Sequence, residues 1–306
     1  MEKVDILIIG QGPAGLCAAI YTARAGLETL VVGLKPKIDG DYDIENYFGF
    51  PDGISGAELM ALGRTQAERF GAKIRTERAL NIHMQEDGSF SVKTESGEVG
   101  ALGVILATGV SRVKPGIGNL DAYDGKGVSY CVSCDGFFYR DQKVMVLGEG
   151  VYAASQALEL LTYTKDVAIC TQGKDSAITP EFQERLAEAG IEVIEKKITE
   201  LEGESGLERV VFEDGERREA YGLFIAMGEA SSTDFARSMG IELKGVYVVA
   251  DDEQKTNLEG VFAAGDCVGR FLQISVAVGE GARAARSANL FVKKKKRLAA
   301  KDDSGS

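Results

Sequence analysis

Two thiols separated by two residues, with a carboxylate next to the second, form the segment Cys131-Val132-Ser133-Cys134-Asp135-Gly136. Such a pair can be half of a zinc site, an inert structural cross-link, or a couple that cycles between dithiol and disulfide. Zinc would need about four ligands, and no second CxxC or CxxH exists in the chain to complete the set. A CxxC beside a strand–helix–strand pattern reads first as redox chemistry. Cys131 and Cys134 are therefore assigned as a working redox couple, with the structural pair as the alternative and no metal. Asp135 stands where it can deliver the proton that a departing thiolate needs. The one histidine, His83, lies in NIHMQEDGSFSVKT, which reads as a hairpin turning at Glu86-Asp87-Gly88, so its role is structural.

A redox couple needs an electron source, and an internal repeat supplies a candidate. VDILIIG at 4–10 leads into Gly10-Gln11-Gly12-Pro13-Ala14-Gly15 and then LCAAIYTARAG, a strand, a glycine turn and a helix ending at Gly26. In that context GxGxxG is a dinucleotide fingerprint. Gly10 makes the tight turn, Gly12 lets the backbone approach a pyrophosphate, and Gly15 lets helix and strand pack closely. Pro13 and Ala14 open the helix whose N-terminus faces the phosphates. The second copy is KVMVLG at 143–148 followed by Gly148-Glu149-Gly150-Val151-Tyr152-Ala153 and ASQALELL. Here Glu149 stands in the turn; facing a diphosphate at about 5 Å, it would cost roughly 3 kcal/mol per phosphate charge at an effective dielectric of 20. The next strand, DVAIC, ends in Thr171-Gln172-Gly173, without the acidic residue that holds an NAD ribose or the arginines that hold an NADP phosphate. A third segment, TNLEGVFAAGD at 256–266, reads as a buried strand emerging at Gly265 and Asp266. Asp266 can accept hydrogen bonds from ribityl hydroxyls, and a helix over about 273–291 would place its positive end beneath a flavin.

The chain of 306 residues, 44% hydrophobic, is long enough for two domains. Its apolar runs are too short to span a bilayer, and the expectation is a cytoplasmic protein with no membrane contact. A net charge of −12 argues against nucleic acid. Cys17, Cys170 and Cys267 sit singly among apolar residues, as buried free thiols do. Phe137, Phe138 and Tyr139 read as core packing. The run KKKKR at 293–297 reads as a solvated helix end, and residues 298–306 as disordered.

Taken together, these motifs resemble the low-molecular-weight thioredoxin reductase family over nearly all of residues 4–290. The resemblance extends through IENYFGFPDGISG at 44–56, VILATGVSR at 104–112, GVSYCVSCDGFFYR at 127–140 and GVFAAGDC at 260–267. It implies an α/β chain of two Rossmann-like nucleotide-binding domains. A discontinuous FAD domain (1–117 and 244–292) would enclose a smaller CxxC unit (118–243), with a tail over 293–306. It further implies FAD, a homodimer and thioredoxin as substrate, with Cys134 facing the flavin, Cys131 attacking thioredoxin and Asp135 as the acid. Asn46, Thr108, Gly109 and Gln273 join the glycines and Asp266 as cofactor-binding positions. A dithiol serving flavin and protein disulfide in turn implies rotation of the inserted unit, with hinges near Gly116–Gly118 and Lys244-Gly245.

The departures from the family pattern are Lys35-Pro36-Lys37 in place of GGQ, Thr171-Gln172-Gly173 in place of HRR, and Phe271-Leu272-Gln273 in place of YRQ. They resemble the ferredoxin-dependent flavin thioredoxin reductases, which implies reduced ferredoxin as electron donor in place of NADPH. An acidic ferredoxin could land on Arg283, Arg286 and 293–297. The alternatives are an NAD(P)H-dependent enzyme aided by Lys165, Lys174 and Arg185, a diflavin disulfide oxidoreductase, and a non-enzymatic flavin-bound redox sensor.

Overall fold

The computed structural model describes residues 1–41, 43–110 and 115–304; Ser111 and Arg112 of the VILATGVSR stretch and the last two residues lie outside the described residues. The chain forms two compact units, Met1–Val110 with Ser231–Ser306, and Ser111–Ala230.

The first unit begins with β1 (Glu2–Ile9), the glycine turn and α1 (Pro13–Arg24). There follow β2 (Thr29–Val32), α2 (Gly56–Arg69), β3 (Lys73–Arg75), the hairpin β4 (Ala79–Met84) and β5 (Phe90–Thr94), and β6 (Gly97–Leu106). Strands β3, β2, β1 and β6 pair in parallel, and β5 and β4 extend the sheet antiparallel. β1 carries six consecutive buried residues, Val4–Ile9, as a parallel strand covered on both faces must. His83 is exposed on the hairpin and opposite Ser91, with the turn closed by the Gly88 N–H on Gln85 O.

The second unit repeats the device. β7 (Val128–Ser129) leads to the short α3 (Val132–Asp135), then β8 (Val144–Leu147), α4 (Val151–Leu160), β9 (Val167–Cys170), α5 (Pro180–Glu188) and β10 (Glu192–Ile194). A small antiparallel sheet of β11 (Ile198–Glu202), β12 (Arg209–Phe212) and β13 (Arg217–Glu219) precedes β14 (Gly222–Ile225). The parallel order is β10-β9-β8-β14-β7. The chain then returns to the first unit through α6 (Ser232–Met239), β15 (Val261–Ala263), which pairs with β6, and α7 (Ile274–Ser304). Helix α7 packs its alanine stripe, Ala277, Ala284, Ala285 and Ala288, in one core with Ala14, Ala18 and Ala19 of α1.

Both unit boundaries fall earlier than the expected 117/118 and 243/244. Pro115 and Asn119 are tied into the second unit, through Gln172 Nε2 to Pro115 O (2.8 Å) and a reciprocal pair of bonds between the Asn119 amide and the Leu201 backbone (2.8 and 3.0 Å). At the other end Ser231 and Asp234 form a capping box that opens α6. The Ser232 N–H donates to Thr108 Oγ1 at 2.9 Å, fixing α6 to the first unit. The helix expected to end near 291 runs on as α7 to Ser304, and the last two residues of the segment expected to be disordered lie outside the described residues. Leu298, Ala299 and Ala300 are strong helix formers with no glycine or proline to stop them.

Candidate functional site

Cys131 and Cys134 form a disulfide with Cα atoms 5.3 Å apart. β7 delivers the first cysteine to the N-cap of α3, where its Sγ accepts the Cys134 N–H at 3.2 Å. That donor would also stabilise a Cys131 thiolate once the bond opens. Cys131 is buried and Cys134 exposed. Asp135 closes the turn, its N–H bonding to Cys131 O at 3.1 Å. The buried hydroxyl of Ser129 donates to Asp135 Oδ2 at 2.6 Å and accepts the Cys131 N–H at 3.2 Å. Ser129 therefore aims the carboxylate at the first cysteine's turn. Sequence reasoning missed it, although its place two residues before Cys131 on a strand end was visible. Glu159 of α4 was missed too; its Oε1 accepts from Ser133 Oγ at 3.0 Å, inside the CxxC loop. Phe137 and Phe138 correct the expectation of core packing, being 57% and 71% exposed; Tyr139 alone packs inward, edge-on to Phe224. The Tyr139 phenol is raised, by burial first and then by the Asp135 charge.

The first glycine turn is shaped for a close ligand. Gly10 has φ +119°, and a Cβ there would meet Ala107 O at 2.1 Å; at Gly15 a Cβ would meet Gly10 O at 1.9 Å. Gly12 is open, its nearest neighbour being Pro36 Cβ at 3.9 Å. Pro13 lacks an N–H and sits at the first helical position, and the Ala14 and Gly15 N–H groups open α1 towards the turn. β15 ends at Gly265 (φ +81°), where a Cβ would press on Ala14 Cβ at 2.9 Å. The Asp266 carboxylate beyond it accepts no hydrogen bond among the described residues, which leaves it available to hydroxyls. Asn46 Nδ2 donates to Gln273 Oε1 at 3.1 Å, bringing together two positions 227 apart in sequence. Thr108 is placed differently. Its hydroxyl is taken up by Ser232 Oγ at 2.5 Å and by the Ser232 N–H, so it pins α6; Gly109 follows it with φ +70°. These residues fit FAD: the turn admits a diphosphate, and Asp266 suits the ribityl chain.

The second turn keeps the shape, since a Cβ at Gly148 would meet Ala226 O at 2.1 Å. Its side chains do other work. Glu149 pairs with Lys174 at 2.5 Å, so its carboxylate turns towards the loop after β9, as Gln11 turns in the first copy to Gly33 O and Arg75 O. The expected clash with a diphosphate is thereby reduced. Beyond β9 the Thr171 hydroxyl donates to Lys174 O at 2.6 Å. The Gln172 amide donates to Pro115 O and Ile198 O at 2.8 Å and accepts the Ile198 N–H at 2.9 Å. Ala177 lies against the turn, its N–H on Glu149 O at 2.8 Å. Arg185 covers the Phe182 ring.

Three residues of the expected basic landing site have partners within the chain. Arg283 donates to Asp252 O, Arg286 pairs with Glu253, and Lys296 pairs with Asp5. The 293–297 run lies roughly 30 Å along α7 from its first residue, at 1.5 Å per residue. Among the described residues no group of three or more His, Cys, Asp and Glu could hold a metal ion, and no helix is long and apolar enough to cross a membrane.

Two nucleotide-type turns, an FAD-shaped cradle and a CxxC disulfide define a flavin-linked disulfide oxidoreductase. The pyridine nucleotide-disulphide oxidoreductase family description matches residues 4–281. Thioredoxin reductase from Streptomyces clavuligerus is 37% identical over 305 residues, covering 94% of each chain. The atypical thioredoxin reductase TRi from Desulfovibrio vulgaris Hildenborough is similar in structure, with a TM-score of 0.93, 63% identity, and coverage of 95% of this chain and 98% of that one. A ferredoxin-flavin thioredoxin reductase from Clostridium acetobutylicum has a TM-score of 0.73 at 30% identity, covering 97% and 99%. The chain belongs to the thioredoxin reductases of the pyridine nucleotide-disulphide oxidoreductase family, and FAD is its cofactor.

Proposed function

We propose that this thioredoxin reductase draws its electrons from reduced ferredoxin and passes them through FAD and the Cys131–Cys134 couple to thioredoxin, as a cytoplasmic homodimer. The observation that carries the choice of donor is the engagement of the polar side chains around the second turn. Glu149 and Lys174 neutralise one another, and Thr171 and Gln172 spend their polar atoms on the protein's own backbone. A nicotinamide nucleotide would find no side chain there to recognise its ribose or 2′-phosphate. The neighbour from Clostridium, with ferredoxin in its name, supports the same reading.

FAD supplies a two-electron store that can be filled singly and emptied as a pair. With the Cys131–Cys134 disulfide opened by two electrons, Cys131 would rest as a thiolate on the Cys134 N–H and the Cys134 sulfur would take up one proton, for which Asp135 is the neighbouring donor; Cys134 gives that proton up when it later attacks. Cys131 then attacks the thioredoxin disulfide, forming a mixed disulfide and releasing one thioredoxin thiolate, which takes up a proton. Cys134 attacks Cys131 and restores the starting bond, leaving thioredoxin as a dithiol. The test is anaerobic mixing of the oxidised protein with NADPH, NADH or reduced ferredoxin while flavin absorbance is followed. Bleaching by ferredoxin alone is expected. Rapid bleaching by either nicotinamide would overturn the choice of donor and leave the disulfide chemistry intact.

A further inference from the structure

Glu280 is a buried carboxylate on the second turn of α7, only 5% exposed, that the dithiol chemistry does not use. Its Oε2 accepts the N–H of Gly265 at 2.8 Å. That N–H belongs to the residue where β15 leaves the sheet with φ +81°, immediately before Asp266. The helix cannot turn to withdraw the carboxylate, because the adjacent Gly281 already lies so close to α1 that a Cβ there would sit 2.2 Å from Ala14 O. Glu280 therefore reaches the turn carrying Asp266 from a helix locked against the phosphate-binding turn. The other oxygen, Oε1, is buried and has no hydrogen bond; Arg270 Nε lies 3.8 Å away.

We propose that Glu280 is a positioning residue for FAD, fixing the Gly265–Asp266 peptide so that Asp266 is presented to the cofactor, and that its proton occupancy tunes how tightly FAD is held. Two features argue for the second clause. An ionised Glu280 would leave one buried oxygen without a hydrogen bond, and burial with the neighbouring Asp266 charge raises its pKa above the ordinary carboxylate value, burial being the larger cause. The Gly265 N–H bond, then Arg270, from the same turn, and Arg283, from α7, act in the opposite direction without overcoming burial; α1 contributes Cys17, engaged with the Ala282 backbone. FAD brings negative phosphates to this end of the sheet. Binding therefore favours the protonated carboxyl, and affinity should rise as pH falls through the raised pKa. The Gly265 bond survives protonation, since the carbonyl oxygen still accepts.

The test is titration of the apoprotein with FAD across pH, read by flavin fluorescence, for wild type, Glu280→Gln and Glu280→Ala. The inference rests on FAD binding to the first unit, and failure of wild type to bind FAD would show the loss of that premise separately. Glu280→Gln keeps an acceptor for Gly265 and should retain FAD, with the acid-side rise in affinity gone. Glu280→Ala should weaken FAD by about tenfold or more, the scale of a hydrogen bond to a charged group. Wild-type affinity in Glu280→Ala, or an unchanged pH profile in Glu280→Gln, would overturn the proposal. If Glu280→Ala does not fold, the Glu280→Gln profile decides alone. A merely structural carboxylate would not shape that profile.

Discussion

At the scale of single residues, the five cysteines divide by environment. Burial pushes the thiols of Cys17, Cys170 and Cys267 up to about 11, so roughly one in a thousand is a thiolate at pH 8. Cys131, once reduced, keeps the Cys134 N–H on its sulfur, and Cys134 is exposed. Brief treatment of the folded, reduced protein with iodoacetamide at pH 8 should label these two and spare the other three. Peptide mapping that finds Cys17, Cys170 or Cys267 alkylated at a comparable rate would contradict the division. The pairing was legible because CxxC fixes its partners locally. Ser129 and Glu159 were not, since a serine and a glutamate carry no mark of their function until a strand end and a helix bring them to the dithiol. Phe137 and Phe138 misled for the opposite reason: aromatic character reports a preference for burial, and two neighbouring rings cannot show which side of a short helix is covered.

At the scale of elements, the glycine turns were the most legible part of the chain, because Gly10, Gly15 and Gly148 each answer a steric demand that no other residue meets. The two structural glycines and the open one should separate experimentally. Gly15→Ala places a methyl 1.9 Å from Gly10 O, backbone against backbone, and should cost about 2–4 kcal/mol of stability as well as the cofactor. Gly12→Ala meets nothing nearer than 3.9 Å and has φ −77°, a conformation alanine adopts freely. It should melt with the wild-type apoprotein and yet copurify with much less flavin, because the added methyl occupies the ligand's side of the turn. A Gly12→Ala protein with full flavin content would remove Gly12 from the cofactor site. The second turn shows where element-level reading stops. Its shape was foreseeable from GEGVYA, while the direction of Glu149 depended on Lys174, a contact across 25 residues through the far end of β9.

At the scale of the whole chain, the boundaries expected at glycines moved because capping and side-chain bonds, not flexible residues, decide which segment follows which unit. The Ser231–Asp234 box is a local S-x-x-D signal that the glycine-based reading passed over, while the Asn119–Leu201 bonds join positions 82 apart and are a long-range consequence that composition does not carry. The same holds for the basic run at the end of α7. Read alone, KKKKR is a solvated patch; in the fold, Lys296 reaches back to Asp5 of β1 at 2.6 Å, where the Asp5 carboxylate is 9% exposed and also accepts the Glu28 N–H. The final helix is thus fastened to the first strand, closing the unit that carries the first glycine turn. Half of the lysine side chain remains in solvent, so the contribution belongs between a surface pair and a buried one, about 1–2 kcal/mol. Lys296→Ala should lower the melting temperature by about 2–6 °C, and Asp5→Asn should fall by a similar amount. The double variant should lose less than the sum of the two, since each single change already breaks the shared contact. Fully additive losses would mean that the two ends of the chain are stabilised independently, and that Asp5 is held by the Glu28 backbone alone.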